Sequence, residues 1–307
     1  MCAYFRAHQQ GSKGERIDSA EVKRKNILHH NVEANLFETI HPEGSSSYEK
    51  SKVSRDIRSA VRNLTRHKLS IDVGCGTGFV TSFELGQFET VVGADISKRM
   101  LEVTRARLRG FNGLSLLLCD AENLPLRSQV ADFVSVSSVL HHLPNPLKSL
   151  REMSRVLKTN GLFYVIREPN DVRFRRFFHL LDEMIIRRLI EFAHCLPFFR
   201  RKREKSERLE KLLSEEGLNY REVDIHCPSG FNIAELSLAL SLTNLSVVSA
   251  NSYHWVFFDF LSRVNLLIEK IPFSEKIGRY ICLMARKQTG QARTGKNPPL
   301  SLEYQKA

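Results

Sequence analysis

The sequence has no long apolar run and no paired cysteines. Nowhere in its 307 residues is there a stretch near the roughly 18 apolar residues that a membrane-spanning helix needs. The opening MCAYFRAHQQGSKGER lacks the apolar core of a signal peptide. Its 6 cysteines form no CxxC pair, which argues against a zinc site or a redox dithiol. We therefore expect a soluble, cytoplasmic protein with free thiols.

Acidic residues are in the minority. The chain has 34 Asp and Glu against 46 Lys and Arg, a formal net charge of +12. Part of the excess lies in FFRRKREKSERLEK at 198–211 and part in ARKQTGQARTGK near the C-terminus. Such a charge suits a nucleic acid, an anionic lipid surface or acidic substrates, but equally a solvated helix face and a disordered tail. Charge alone selects none of these partners.

Between residues 69 and 167 the chain alternates short apolar runs with helical patterns. The runs are LSIDV, TVVGAD, LSLLLCD, DFVSVSS and LFYVIRE. Continuous apolar strands are typical of a sheet with helices on both faces, so the pattern predicts a doubly wound, parallel α/β sheet. Helix signals agree: Ser97 and Asn145 are predicted N-caps, Pro146 a first helical residue and Gly161 a C-cap.

The pattern changes after Pro169. Residues 171–230 predict two helices broken at Pro197. The alternation then resumes with the helix NIAELSLALSLTN, the strand LSVVSANSYHWVF, a helix around FLSRVNLLIEKI and the strand RYICLMARK. Seven strands result. The expected organisation is a tail and cap at 1–46, a core at 47–170, a helical lid at 171–230, the rest of the core at 231–288 and a disordered tail at 289–307.

Residues 69–79, LSIDVGCGTGF, place an acid and three glycines at the end of the first strand. Glycine costs backbone entropy, so the run indicates a sharp turn and a close approach to a ligand. A dinucleotide loop reads GxGxxG and faces a pyrophosphate, which a neighbouring carboxylate would repel. The GxGxG run behind Asp72 instead favours a ligand with a cationic group, while Asp95 suits a ribose diol.

Polar residues also follow the other strands. Asp120 follows the third, Ser137 with His142 the fourth, and Glu168 the fifth. In an open α/β sheet, ligands bind at the carboxyl ends of the strands. We therefore expect these side chains to converge on one crevice.

Residues 69–167 resemble the class I S-adenosylmethionine-dependent methyltransferases, in particular the small-molecule branch similar to ubiquinone and menaquinone biosynthesis methyltransferases. DVGCGTG resembles the family's first motif, GADIS the second, CDAENLP the third and SSVLHHLPNP the fourth-strand motif. The resemblance implies a Rossmann-like, seven-stranded sheet with an antiparallel last strand. It also implies S-adenosyl-L-methionine as cofactor and methyl transfer to a small, apolar or amphipathic acceptor.

The resemblance further implies which residues bind the cofactor. They are Asp72, Gly74, Cys75, Gly76, Gly78, Asp95, Ile96, Asp120, Ala121 and Ser137. Asp72 would lie near the methionine amino group, and Asp95 would hold the ribose hydroxyls. Asp120 would read the adenine edge, and Ser137 would close the methionine end.

Catalytic residues follow less directly from the pattern. Methyl transfer from a sulfonium leaves a neutral thioether, so holding the acceptor in line supplies most of the acceleration. A base is needed only if the acceptor carries a proton. The predicted catalytic residues are His142 and Glu168, and Tyr253 and His254 are further candidates near the crevice.

No metal site is predicted. His29, His30 and His41 show no ligand spacing among themselves, and we expect them in a cap over the cofactor. The lid's phenylalanines either line an apolar acceptor pocket or pack the lid on the sheet, and its basic helix could rest on an anionic membrane.

Two other functions stay open. One is an RNA methyltransferase, which the charge suggests, although the sequence shows no RNA-binding module and its fourth-strand motif is not of the N/D-P-P-Y type. The other is a non-catalytic cofactor-binding module at a membrane surface or on a partner protein. The acceptor atom and the oligomeric state do not follow from the sequence.

Overall fold

The computed structural model describes residues 18–41, 46–170, 211–212, 214–215, 230–253 and 278–289. The strands are β1 (Leu69–Val73), β2 (Thr90–Asp95), β3 (Leu114–Leu118), β4 (Ala131–Ser137), β5 (Leu157–Pro169), β6 (Leu245–Tyr253) and β7 (Tyr280–Lys287). The α-helices are α1 (Ser19–Glu33), α2 (Phe37–Ile40), α3 (Ser47–Arg62), α4 (Phe79–Glu84), α5 (Lys98–Arg107), α6 (Pro146–Val156) and α7 (Ile233–Ser241).

The strands form one sheet in the order β3-β2-β1-β4-β5-β7-β6. The first five strands pair in parallel, and β7 lies antiparallel between β5 and β6. The chain direction across the sheet reverses between β1 and β4, which is the switch point where sheets of this kind bind ligands. The predicted Rossmann-like, seven-stranded sheet with an antiparallel last strand is confirmed.

The two faces of the sheet carry separate apolar clusters. In β4, Phe133 and Val134 are both 0% exposed, yet they enter opposite clusters. In β5, Phe163 and Tyr164 divide in the same way. A fully buried side chain of this size stabilises the fold by about 1.5 to 3 kcal/mol. Burial on both faces explains why these strands read as continuous apolar runs.

The predicted starts of two helices are confirmed. Ser97 caps α5, its hydroxyl accepting from the Met100 amide, and Asn145 caps α6, its side chain accepting from the Lys148 amide. Pro146 occupies the first helical position of α6. Each cap satisfies an amide that has no partner within the helix.

The predicted C-cap at Gly161 is wrong. Helix α6 ends at Val156, and β5 begins at once with Leu157, which pairs with Ala131 of β4. Pairing with β4 therefore draws the chain into the sheet before a capping turn forms. The left-handed residue of this region is Asn160, with φ of 66°.

Several predicted features lie outside the described residues. They include almost all of the lid at 171–230, nearly all of the tail at 289–307, and His254. The domain boundaries therefore stay predictions. Within the described part of the chain, we find no helix with both the length and the apolar character needed to cross a bilayer.

Candidate active site

A cavity of about 320 Å³ lies at the carboxyl ends of the parallel strands, beneath α1. Its wall contains every predicted cofactor residue except Gly78, and it contains His142. Asp72, Asp95 and Ser137 reach it from β1, β2 and β4, and Asp120 reaches it from the loop after β3. The structure thus brings four separate strand ends to one site.

The glycine loop between β1 and α4 has a backbone conformation that residues other than glycine rarely adopt. Gly74 has φ of 72°, and a Cβ built on it would lie 2.2 Å from Val139 Cγ2. The Gly74 and Cys75 amides both donate to the Ala94 carbonyl, at 2.7 and 3.0 Å, which ties the loop to the end of β2. Because Gly74 has no side chain, its backbone lines the cavity directly.

Gly78 serves packing instead. Its φ is 80°, and a Cβ there would lie 2.8 Å from Thr104 Cγ2 of α5. It precedes the first residue of α4 and is absent from the described part of the cavity wall. Its place in the motif therefore reflects a close approach of the loop to α5.

Asp95 is fixed by two backbone amides at the cavity wall. Its Oδ2 accepts from the Gly76 amide and its Oδ1 from the Ser97 amide, each at 2.8 Å. Burial raises the pKa of Asp95, and burial together with Asp95 raises the pKa of the Cys75 thiol well above its usual range. Cys75 therefore lines the cavity as a neutral thiol. Each Asp95 oxygen keeps a lone pair for a ligand hydroxyl.

Asp72 belongs to a buried network of polar side chains. Its Oδ2 accepts from the Thr81 amide at 3.0 Å and from the Thr81 hydroxyl at 2.6 Å. The Ser135 hydroxyl lies 3.1 Å from Asp72 Oδ1 and 2.5 Å from Glu84 Oε1. The Ser70 hydroxyl donates to Glu84 Oε2 at 2.6 Å. Asp72 is 1% exposed and Glu84 is 0% exposed.

The two carboxyl groups of this network differ in protonation near neutral pH. Burial, and then the charge of Asp72, raises the pKa of Glu84 to about 8, whereas burial raises the pKa of Asp72 to about 6. The single hydroxyl proton of Ser135 cannot serve both carboxylates. Protonated Glu84 therefore donates to Ser135, and Ser135 donates to Asp72. Near neutral pH the negative charge stays on Asp72, which faces the cavity.

His142 lies in a single 3₁₀ turn, Leu140–His142, that follows β4. The Asn26 side chain of α1 donates to its carbonyl at 2.8 Å, and its ring centroid lies 3.9 Å from that of His141 and 5.4 Å from that of His30. Burial, and then these two neighbouring rings, lower the pKa of His142 well below its usual range. The imidazole is therefore neutral, the form that accepts a proton.

Glu168 holds this 3₁₀ turn in place. It is 0% exposed, and its Oε1 accepts from the Val139 and Leu140 amides at 2.8 and 2.9 Å. Its Oε2 lies 2.9 Å from His141 Nδ1. Among the described residues, the cavity wall omits Glu168. Tyr253 is likewise absent from it, and its hydroxyl donates to Glu49 Oε2 at 3.3 Å.

A bulge in β5 puts Ile166 and Glu168 on opposite faces of the sheet, although residues two apart in a regular strand share a face. The pairing with β7 shifts by one residue between Ile166 and Glu168, and Arg167 in between has φ of 61°. Bulges redirect side chains, often beside active sites. Here Arg167 reaches the cavity, and its guanidinium lies 5.7 Å from the centroid of the Phe79 ring. No signal in the sequence points to this bulge.

Helix α1 closes the cavity through polar contacts that sequence reasoning missed. Lys23 Nζ donates to Asp120 Oδ2 at 2.7 Å and to Glu122 Oε2 at 2.8 Å. The Ser97 hydroxyl donates to Asn31 Oδ1 at 2.7 Å. These partners are 66 to 99 residues apart in the chain, so no local pattern reports them.

The three histidines of the cap surround one carboxylate. Glu33 is 1% exposed, and His30 Nδ1 lies 2.6 Å from its Oε1. His29 Nε2 and His41 Nε2 lie 3.3 and 3.4 Å from its Oε2. Burial opposes ionisation of Glu33, but hydrogen bonds from these imidazoles hold its pKa well below its usual range. The HHNVE spacing could have revealed the group, because His29 and Glu33 are four apart on a helix.

The chain is similar to known methyltransferases. Residues 71–165 match the model of a family described as "Methyltransferase domain". A demethylmenaquinone methyltransferase of Staphylococcus epidermidis is 28% identical over 179 residues, 57% of this chain and 70% of the relative. One from Staphylococcus haemolyticus is 30% identical over 145 residues, 46% of this chain and 61% of the relative.

Solved structures show the same fold. A chain from the complex of the Haloferax volcanii Trm112 methyltransferase activator with a methyltransferase has a TM-score of 0.53, at 14% identity, over 85% of this chain and 98% of that chain. An S-adenosylmethionine-dependent methyltransferase from Thermotoga maritima has a TM-score of 0.50, at 16% identity, over 85% of this chain and 100% of that chain.

Proposed function

Because the chain is a class I S-adenosylmethionine-dependent methyltransferase, we propose that its acceptor is a small, apolar or amphipathic molecule of the demethylmenaquinone kind. One observation carries the proposal. Besides the predicted cofactor residues, the cavity is lined by five largely apolar side chains, those of Phe79, Val139, Leu143, Pro144 and Tyr280. An apolar cavity with a few convergent polar groups suits a small apolar ligand.

The cavity residues fit the cofactor. When bound, the cofactor supplies an electrophilic methyl group on a sulfonium. We propose that Asp72, whose charge the Glu84 proton preserves, holds the methionine ammonium group. Asp95 accepts from the ribose hydroxyls, and Ser137 closes the methionine end. The backbone at Gly74, where a Cβ would meet Val139 at 2.2 Å, forms the cradle that this ligand occupies.

We propose His142 as the base for an acceptor that carries a proton. It lines the cavity, and its neutral imidazole is ready to accept that proton. Glu168 has a different role in the proposal: it positions the turn that carries His142, since its oxygens are bonded to the amides of that turn.

Glu168→Gln separates positioning from catalysis. An amide supplies one acceptor oxygen where the carboxylate supplies two, so buried amides of the turn lose a partner, at about 1 to 3 kcal/mol. We expect the free energy of unfolding to fall by that amount, KM to rise, and the pH profile of kcat to keep its shape. Exposed Glu89→Gln is the control. A large drop in kcat with unchanged stability and a lost acid limb would make Glu168 the base.

Asp95→Ala tests the ribose contact. Loss of charge-assisted hydrogen bonds should weaken cofactor binding about ten- to a hundredfold by calorimetry. Asp132→Ala is the matched control, because Asp132 is also buried but lies at the start of β4, where it accepts from the Lys68 and Leu69 amides. The control should lose stability and keep its affinity. If both variants bind the cofactor as tightly as the native protein, the proposed role of Asp95 is refuted.

The acceptor class is tested with methyl-labelled cofactor. The protein is incubated with a demethylated quinol, and separately with a cell extract that is then divided into lipid, small-molecule and RNA fractions. We expect label in the quinol and in the lipid or small-molecule fraction, and a large reduction with the Asp95→Ala protein. Label in RNA would replace the proposal by RNA methylation. Label in no fraction would favour a non-catalytic cofactor-binding module.

A further inference from the structure

We propose that His29, His30, Glu33 and His41 form a site for a divalent transition-metal ion, with Zn²⁺ as the fitting example, that fastens the cap over the cofactor cavity. The site is separate from the predicted cofactor residues, although all four residues line the same cavity. The proposal does not depend on the identity of the methyl acceptor.

The distances between the donor atoms suit such an ion. The ligand atoms of His29, His30 and Glu33 all lie within 4.8 Å of one another. Ligands that are about 2.0 to 2.1 Å from a tetrahedral zinc ion lie about 3.3 to 3.4 Å apart. His29 Nε2 and His41 Nε2 are 3.3 and 3.4 Å from Glu33 Oε2. The 2.6 Å contact of His30 Nδ1 with Oε1 must open. His41 lies outside the group of three mutually close donors and must approach His29 and His30 to complete the site.

The chemistry of the donors points the same way. Imidazole nitrogens and a carboxylate oxygen are the donors that zinc and its neighbouring divalent metals accept in proteins. Two ligands, His29 and Glu33, lie four residues apart and therefore share one face of α1. His41 comes from beyond α2. An ion would thus join the end of α1 to the chain after α2.

A metal ion would strengthen the attachment of the cap, because the buried face of α1 is mainly polar. Its buried residues are Val22, Asn26, His29 and Glu33, of which only Val22 is apolar. Burial of apolar area, the usual force that holds a helix on a fold, is therefore small here. A metal ion bound at Glu33 would add to the polar contacts that Lys23, Asn26 and Asn31 already make with the core.

The charge of Glu33 also requires a partner. A buried carboxylate costs several kcal/mol unless a positive charge compensates it. The structure surrounds it with three imidazoles, which are neutral unless protonated. A divalent cation provides the charge while all three histidines act as neutral ligands. The rival explanation, one protonated histidine without metal, predicts no metal binding, and the experiment separates the two.

The test uses the full-length protein after treatment with a chelator. Zn²⁺ is titrated by calorimetry, the bound metal is counted by elemental analysis, and Co²⁺ is added to record the visible absorption of a tetrahedral nitrogen and oxygen site. We expect one ion per chain, and a higher unfolding temperature with Zn²⁺. Glu33→Gln and His41→Ala should each weaken binding by more than about a hundredfold, since loss of an outer-shell partner alone costs 10- to 100-fold.

His67→Ala is the matched control, because His67 bonds to the Val61 carbonyl away from the cavity and should not affect the ion. His41 is 28% exposed, so its replacement leaves the fold intact even if Glu33→Gln does not. The proposal is overturned if the native protein binds no stoichiometric Zn²⁺, or if both variants bind it as tightly as His67→Ala.

Discussion

Replacing Gly74 by alanine is expected to lower the free energy of unfolding by about 2 to 6 kcal/mol and to abolish measurable cofactor binding. Two costs add. A left-handed backbone conformation costs a non-glycine residue about 1 to 3 kcal/mol, and an extra methyl in a packed site costs about 1 to 3 kcal/mol more. The second cost applies here because the new Cβ would lie 2.2 Å from Val139 Cγ2.

The loss of binding has a separate cause. Val139 precedes the 3₁₀ turn that carries His142, and its amide is held by Glu168. A methyl group that displaces Val139 therefore disturbs the loop and the turn together. The cofactor cradle and the proposed base would move at once, so calorimetry with S-adenosylmethionine should show no binding.

Gly86→Ala is the matched control for Gly74→Ala. Gly86 has φ of 81°, but a Cβ there would meet nothing within 4 Å, and Gly86 is absent from the described wall of the cavity. Only the backbone cost applies, about 1 to 3 kcal/mol, and affinity should be unchanged. Chemical denaturation and calorimetry of both variants provide the comparison. Equal losses of stability with normal affinity in both would show that Gly74 serves only the turn.

Strand positions and helix caps, which depend on local sequence pattern, were predicted closely. The run TVVGAD coincides with β2, and Ser97 and Asn145 cap the helices that they were expected to cap. Apolar runs and capping residues act over a few positions, so their signal is complete in the sequence. The strand ends converge for a topological reason, because parallel strands all end at one edge of the sheet.

What escaped prediction depends on tertiary contacts. The Gly161 cap failed because Leu157 pairs with Ala131, a residue of another strand. The contacts of Glu168 with the amides of the 3₁₀ turn could not be predicted either, because they depend on the bulge at Arg167. The partners of Lys23 are 97 and 99 residues away. None of these pairings leaves a periodic or local trace in the sequence.

Glu84 gave no sequence signal, yet its proton should make the stability of the protein depend on pH. Its pKa is about 8 in the folded chain, against 4.5 for an ordinary glutamate. Between these values the folded chain holds a proton that the unfolded chain has released. The contribution of Glu84 to stability is therefore full below pH 4.5 and is lost as the pH rises to about 8. At 1.36 kcal/mol for each pKa unit, the whole loss is about 5 kcal/mol.

The window from pH 6 to 8 is suited to this effect, because Asp72, with a pKa of about 6, is half deprotonated at its lower end and almost fully deprotonated above pH 7. Glu84→Gln replaces the protonated acid by a neutral amide that can still contact Ser70 and Ser135. We expect the unfolding free energy of the native protein to fall by about 2 to 3 kcal/mol across this window relative to Glu84→Gln. Titrations common to both proteins, such as those of the histidines, cancel in the difference.

The same variant should retain cofactor affinity at neutral pH, since Glu84 already carries no charge there and Asp72 keeps its own. Asp72→Asn removes that charge and should weaken binding by at least about tenfold. Denaturation at several pH values, with exposed Glu89→Gln as control, gives the first result, and calorimetry gives the second. Parallel stability curves for the native protein and Glu84→Gln would mean that Glu84 is ionised throughout, and that the charge of Asp72 is preserved by some other group.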